Sequence, residues 1–119
     1  MHHTNMEVWK SSMDLVLKVY ELTNDFPKDE LYGLTSQIRR CAVSIPSNIA
    51  EGCGRFSDKE TYRFISIALG SVAELETQLI IAERLKYTNN PNEIYVLLKR
   101  VNALLIGLKK RLENDEIDR

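Results

Sequence analysis

The segment SIPSNIAEGCGR, residues 44–55, decides how the middle of this chain folds. Pro46 lacks a backbone N–H group and would be expected to break a helix. The apolar residues on both sides of it nevertheless stay in one helical register, spaced four, four, three and four residues apart: Leu34, Ile38, Ala42, Ile45 and Ile49. A chain that left the helix at Pro46 would have no reason to keep that register. The spacing therefore predicts a continuous helix over residues 34–52, with a kink at Pro46.

Glycines close this helix, and similar signals delimit three others. Gly52 is the predicted stop, because glycine adopts the left-handed conformation without steric cost. An apolar stripe predicts an earlier helix at residues 8–25. A capping box of Ser57 and Glu60 begins a helix at 57–87, and Asn90 followed by Pro91 begins another at 91–113. Short links between four helices predict one all-α domain, 1–119: an up-down-up-down antiparallel four-helix bundle with frayed residues 1–6 and 114–119.

The apolar faces of these helices define the predicted core. Outside the second helix, the core-facing residues are Val8, Leu15, Val19, Leu22, Phe64, Ala68, Val72, Leu75, Leu79, Ala82, Ile94, Leu97, Leu98, Val101, Leu104, Leu105 and Leu108. No stretch alternates polar and apolar residues as a strand would, so the sequence predicts no sheet.

A second stripe on the same helix consists of small or hydrogen-bonding residues, spaced four, three, four, three and four apart: Gln37, Cys41, Ser44, Asn48, Glu51 and Arg55. The third helix has a matching row at steps of four: Ser66, Gly70, Glu74 and Gln78. One interpretation is a plain exposed face. The interpretation we favour is a second contact surface, because small polar side chains let another helix approach closely. That surface would face another subunit or a ligand.

Composition limits the kinds of function. The chain has 119 residues, of which 16 are basic and 17 acidic, giving a formal charge of -1. This balance provides no overall attraction to nucleic acid or to anionic membranes, so such binding would need a local patch. No apolar run approaches the ~20 residues that span a bilayer, and no signal peptide is evident. We expect a cytoplasmic protein without a membrane partner.

The sequence indicates no enzyme, cofactor, metal site or small-molecule substrate. A di-iron bundle needs Glu-x-x-His pairs, and no glutamate here has a histidine three residues later. His2 and His3 lie in the frayed terminus, so neither is expected to activate a cysteine nucleophile. Cys41 and Cys53 are about 18 Å apart on a continuous helix. This exceeds the roughly 7 Å that a disulfide tolerates, so both are expected to be free thiols.

Local basic clusters leave nucleic-acid binding open as an alternative. Arg39 and Arg40 are adjacent, and Lys59 and Arg63 lie one turn apart on the third helix. Acidic residues are interleaved with them, as on many solvated helix faces. These four residues are the candidate nucleic-acid contacts.

The segments LYGLTSQIRRCAVSIPSNIAEGCGR (31–55) and FISIALGSVAELETQLIIAERL (64–85) resemble the bacterial four-helix-bundle protein family. Its members include proteins encoded in intervening sequences of 23S ribosomal RNA genes. The resemblance implies a ring-shaped homopentamer of antiparallel bundles whose biochemical role is largely unassigned. A related fold is the accessory protein of diversity-generating retroelements, a basic pentamer that works with a reverse transcriptase and nucleic acid. The present chain is slightly acidic instead.

Two functional hypotheses result. The first is a non-enzymatic homo-oligomer that acts through its assembly and partner interface. The alternative is an RNA- or DNA-binding accessory protein associated with ribosomal RNA or with a reverse transcriptase.

Overall fold

The structure, a computed structural model, describes residues 2–117 and contains four α-helices. Two short 3-10 turns, His3–Asn5 and Lys28–Glu30, precede the first two helices. No strand occurs within the described residues. The all-α four-helix fold predicted from periodicity is therefore confirmed. The helices are α1 (Glu7–Thr23), α2 (Leu34–Cys53), α3 (Asp58–Arg84) and α4 (Asn92–Ile117).

The second helix continues through Pro46, as its apolar register predicts, and it ends one residue later than expected. The reason for its end is different from the predicted one. No glycine among the described residues has a positive φ, and the helix is capped by Gly54 in a right-handed conformation. Gly52 lies inside the helix. A Cβ added there would come within 3.0 Å of the Phe64 Cβ, so this glycine permits close packing of α2 on α3.

The third helix begins as the capping box predicts, because the Ser57 side chain accepts a hydrogen bond from the Glu60 backbone N–H over 3.2 Å. It ends at Arg84, before the predicted residue 87. Lys86 there adopts φ 65°, and the Tyr87 N–H donates to the Ala82 carbonyl over 2.9 Å. This is the left-handed helix terminus that glycine usually forms, here made by lysine.

Fraying of residues 1–6 and 114–119 stays a prediction. Residues 3–5 form a turn in which the His3 ring contacts the edge of Trp9, and α4 extends to Ile117. Residues 1, 118 and 119 lie outside the described part of the chain.

Neighbouring helices contact each other in the order α1–α2, α2–α3, α3–α4 and α4–α1, so α1 and α3 lie diagonally opposite. Contacts join the start of one helix to the end of the next. Met6 touches Cys53, and Thr23 near the end of α1 bonds Arg39 near the start of α2. The bundle measures 51 × 22 × 21 Å.

The interior is built from the predicted apolar faces. On α3, however, Ile65 takes the core position that was predicted for its neighbour Phe64. Ile65 is fully buried, whereas Phe64 is only partly buried between the guanidinium groups of Arg55 and Arg63. Each fully buried leucine or isoleucine contributes about 1.5–3 kcal/mol to folding. The largest fully buried apolar side chains are Leu15, Val19, Ile38, Ile45, Ile49, Ile65, Leu75, Leu79, Leu98, Val101 and Leu105.

Candidate interaction surfaces

The polar stripe of α2 lies partly against α3 of the same chain. The Ser44 and Ser71 hydroxyl oxygens are 2.7 Å apart, and the Cys41 thiol donates to the Ser71 carbonyl over 3.1 Å. The close helix approach that small residues permit is therefore used within the bundle at this point. Sequence periodicity had singled out Ser44 but not its partner Ser71.

A polar crevice of about 340 Å³ opens where these two helices meet. It brings together five residues of the two predicted polar rows, Gln37, Cys41, Ser44, Glu74 and Gln78, and it adds two others: Arg40 and Ser71. We call this set the α2–α3 crevice. It combines a cation, a carboxylate, two amides and two hydroxyls, and its chemistry suits hydrogen bonding to a partner.

Gln78 is the most buried of these residues, with 8% of its surface exposed. Its amide nitrogen is 3.4 Å from a Glu74 carboxylate oxygen, and its Oε1 has no hydrogen-bond partner. Ser66, one of the predicted contact residues on α3, also has a buried hydroxyl without a partner. Each such atom costs folding about 1–3 kcal/mol.

Burial raises the pKa of the Cys41 thiol to about 12, and the nearby Glu74 carboxylate adds to the shift. Burial also raises the pKa of the Cys53 thiol, which lies 3.3 Å from the Met6 sulfur. Both cysteines are free. A thiol with so high a pKa stays protonated and is a poor nucleophile at neutral pH.

The remaining stripe residues make contacts on their own helix. Asn48 donates its side-chain amide to the Ser44 carbonyl over 2.7 Å. Glu51 and Arg55 form an ion pair four residues apart, with Nη2 and Oε1 separated by 2.5 Å. The Asn48 hydrogen bond and the ion pair do not reach another helix, but the Arg55 guanidinium also lies over the Phe64 ring of α3.

The two adjacent arginines of α2 differ in environment. Arg39 donates from Nε to Thr23 Oγ1 over 2.8 Å and lies over the Tyr20 ring, so it connects α2 to the end of α1. Arg40 is exposed at the edge of the α2–α3 crevice. Lys59 and Arg63 are exposed near the start of α3, next to the turn that carries the fully exposed Phe56.

The outward side of α3 is apolar and uncovered. Its middle contains no lysine or arginine between Arg63 and Arg84. By length and composition α3 is the one helix among the described residues that could cross a membrane, a test that core helices of soluble proteins also pass. Only 33% of its apolar stretch is buried in the bundle. We call the exposed set the α3 outer face: Ile67, Gly70, Ala73, Glu74, Thr77, Ile80 and Ile81.

Two further grooves lie on other sides of the bundle. The α1–α2 groove, of about 300 Å³, is lined by His3, Trp9, Met13, Val16, Val43, Pro46, Ser47 and Ala50. The α1–α4 groove is lined by Asp14, Leu17, Lys18, Glu21, Glu93, Val96 and Leu97. Among the side chains that the structure describes, those of residues 2–115, no group of three or more metal-binding side chains is assembled.

No curated protein matches the chain, whereas one family model does. The family model described as the 23S rRNA-intervening sequence protein matches residues 4–107, which include α1, α2, α3 and the first half of α4. The chain therefore belongs to the 23S rRNA-intervening sequence protein family.

Proposed function

We propose that this chain is a non-catalytic, cytoplasmic homo-oligomer that acts through the surface of its assembled bundles. The observation that supports the proposal most is the α3 outer face. On α3, Ile67 and Ile81 are 45% and 43% exposed, and 33% of the residues in the apolar stretch of this helix are buried in the bundle. Exposed apolar surfaces of this kind typically mark protein–protein contacts.

The energetics favour repeated contacts over a single one. Full burial of an isoleucine contributes about 1.5–3 kcal/mol, so each half-exposed residue of this face has about 1 kcal/mol left to gain. Several such residues together only approach the lower end of the roughly 4–15 kcal/mol that association costs. A closed ring, in which every chain makes two contacts, would be more stable than a pair. This agrees with the pentamer implied by the resemblance.

The test is the mass of the chain in solution by multi-angle light scattering. The proposal expects a multiple of 13.7 kDa, five chains if the pentamer forms. The double variant Ile67→Arg/Ile81→Arg should release monomers with unchanged helix content, because both side chains are exposed in the single bundle. A wild-type chain that stays monomeric at high concentration would refute the proposal.

Nucleic-acid binding is a second candidate, supported by one end of the bundle. Phe56 is fully exposed in the turn between α2 and α3, with Arg55, Lys59 and Arg63 nearby in the chain. Exposed aromatic rings next to cations are typical of single-stranded nucleic-acid contacts, where bases stack on the ring. Such binding would lose affinity steeply as salt rises.

The experiment for this candidate is titration of a labelled 23S rRNA fragment at several salt concentrations. Phe56→Ala and Lys59→Gln should each weaken binding, whereas Lys99→Gln, an exposed lysine on α4, should not. Absence of binding at low salt, or equal effects of all three variants, would exclude this site.

A further inference from the structure

We infer that the α3 outer face of one copy docks into the α1–α2 groove of a second copy, so that the assembly is built from one repeated face-to-groove contact. This inference rests on the proposed homo-oligomer and names the two surfaces that meet in it. Three observations support it: the charges of the α3 outer face, the composition of the groove, and the poor match of the other available surfaces.

The α3 outer face is apolar and carries negative charge only. Glu74 lies among its residues, and Arg63 and Arg84 mark the limits within which no cation occurs. Gly70 stands at its centre, where an added Cβ would have no neighbour within 4 Å. The centre of this face is therefore shallow enough for another helix to lie close against it.

The α1–α2 groove is apolar and has no acidic residue among those that line it. Trp9 and Met13 line the α1 side, and Val43 and Ser47 line the α2 side. Arg39 precedes Val43 by one helical turn and lies over the Tyr20 ring of α1, whereas Arg40 faces the α2–α3 crevice. Tryptophan and methionine are enriched at interface centres, and the basic edge complements an acidic partner.

The alternative surfaces fit less well. The α1–α4 groove also exposes apolar side chains, but three acids, Asp14, Glu21 and Glu93, line it with one cation, Lys18, which pairs with Glu21 and Glu93. These acids would repel Glu74 of an approaching α3 helix. Two α3 outer faces also pair poorly. An antiparallel alignment about the middle of α3 brings the two Glu74 side chains together and sets Arg63 near Arg84 of the other copy.

A contact between two different surfaces has a structural consequence. Each copy keeps one free face and one free groove after its first contact, so assembly continues until a ring closes or a filament grows. A self-complementary contact would stop at two chains. The proposed pairing therefore extends the assembly beyond two chains without any further interface.

The test uses two variants that each disable one surface. Ile67→Arg/Ile81→Arg disables the α3 outer face, and Val43→Glu/Ser47→Glu disables the groove with residues that are exposed in the single bundle. Each variant alone should be monomeric by sedimentation velocity, with unchanged helix content. An equimolar mixture retains one intact face and one intact groove, so a two-chain species is the largest that it should form. Val96→Arg in the α1–α4 groove is the control and should assemble as the wild type does.

The outcomes separate this inference from the proposal beneath it. A monomeric wild type refutes the homo-oligomer itself. A wild-type oligomer that survives Val43→Glu/Ser47→Glu, or one that Val96→Arg dissociates, leaves the homo-oligomer intact and overturns the face-to-groove contact. A mixture of the two monomeric variants that forms a species larger than two chains also overturns it, because only one intact face and one intact groove remain in the mixture.

Discussion

Gly52 of α2 and Phe64 of α3 are so close that a Cβ on the glycine would lie 3.0 Å from the Phe64 Cβ, with the Thr61 carbonyl oxygen at 3.4 Å. The Thr61 hydroxyl also donates to the Gly52 carbonyl over 2.8 Å. The absence of a side chain at Gly52 therefore sets how closely α2 and α3 approach each other here. A larger residue would have to move backbone as well as side chain.

Gly52→Ala should therefore destabilise the fold. Overpacking a tight contact costs roughly 1–3 kcal/mol, and the better helix propensity of alanine returns about 1 kcal/mol. We expect a net loss of about 1 kcal/mol in the free energy of unfolding, measured by urea denaturation. Gly107→Ala on α4 is the matched control: no atom lies within 4 Å of its added Cβ, so it should gain about 1 kcal/mol. Equal effects of the two variants would contradict this explanation.

Arg39 and Arg40 should respond differently to the same substitution. Arg39→Gln removes a charged hydrogen bond to Thr23 and the contact with the Tyr20 ring, and should cost about 1–2 kcal/mol of unfolding free energy. Arg40→Gln, at an exposed position, should change it by less than about 0.5 kcal/mol. Thermal and urea unfolding of the two variants measure this difference. A neutral Arg39→Gln would show that the contact with α1 contributes little.

The environment of Glu30 predicts that the stability of the fold falls at acid pH. The Tyr87 hydroxyl and the Leu34 backbone N–H both donate to its carboxylate, and they lower its pKa below the ordinary value of 4.5. A carboxyl with a lowered pKa stabilises the fold above pH 4.5 and loses that contribution as pH falls through the folded value. Urea unfolding at successive pH values below 4.5 should show a smaller decline for Glu30→Gln than for the wild type. Parallel declines would rule out this origin.

The environment of Tyr87 predicts that the stability of the fold also falls at alkaline pH. Its hydrogen bond to Glu30 raises the pKa of the phenol above the ordinary value of 10. A raised pKa stabilises the fold below pH 10, and that contribution is lost as pH rises through the folded value. Tyr87→Phe should reduce the loss of stability in alkaline solution, whereas Tyr32→Phe, at an exposed tyrosine, should not.

The Cys41 thiol should be unreactive in the folded protein. With its pKa raised to about 12, almost none of it is thiolate at pH 8, and iodoacetamide should modify it far more slowly than in urea-unfolded chain. Glu74→Gln removes one of the causes of the shift and should increase the folded-state rate at pH 9–10, measured on a Cys53→Ser background. A rate unaffected by Glu74→Gln would assign the shift to burial alone.

Much of the fold could be predicted from the sequence because apolar periodicity is a local property of each helix. The stripe from Leu34 to Ile49 showed that α2 passes through Pro46, and the capping box located the start of α3 to within a residue. The ends were less accurate where an unusual residue formed them. Lys86 adopts the left-handed conformation that glycine signals in sequence, so nothing in the pattern marked the end of α3 at Arg84.

The candidate surfaces were predictable only in part. The polar stripe of α2 was visible from its spacing, and the structure gathers Gln37, Ser44, Glu74 and Gln78 into one crevice. The apolar α3 outer face was not recognised, since the exposed Ile67 and Ile81 differ from buried residues only in where the neighbouring helices lie. Its only sequence signal was the long interval without a cation between Arg63 and Arg84.

The sequence by itself determined that this protein has four helices, and which stripe of each faces the core, because hydrophobic spacing along a helix needs no knowledge of the partner helix. The tertiary structure decided how close the helices come and which of their remaining faces are covered. Gly52 against Phe64, Arg39 on Thr23 and the uncovered side of α3 all depend on distances between residues far apart in the chain. Such distances are set by packing, which local periodicity does not encode.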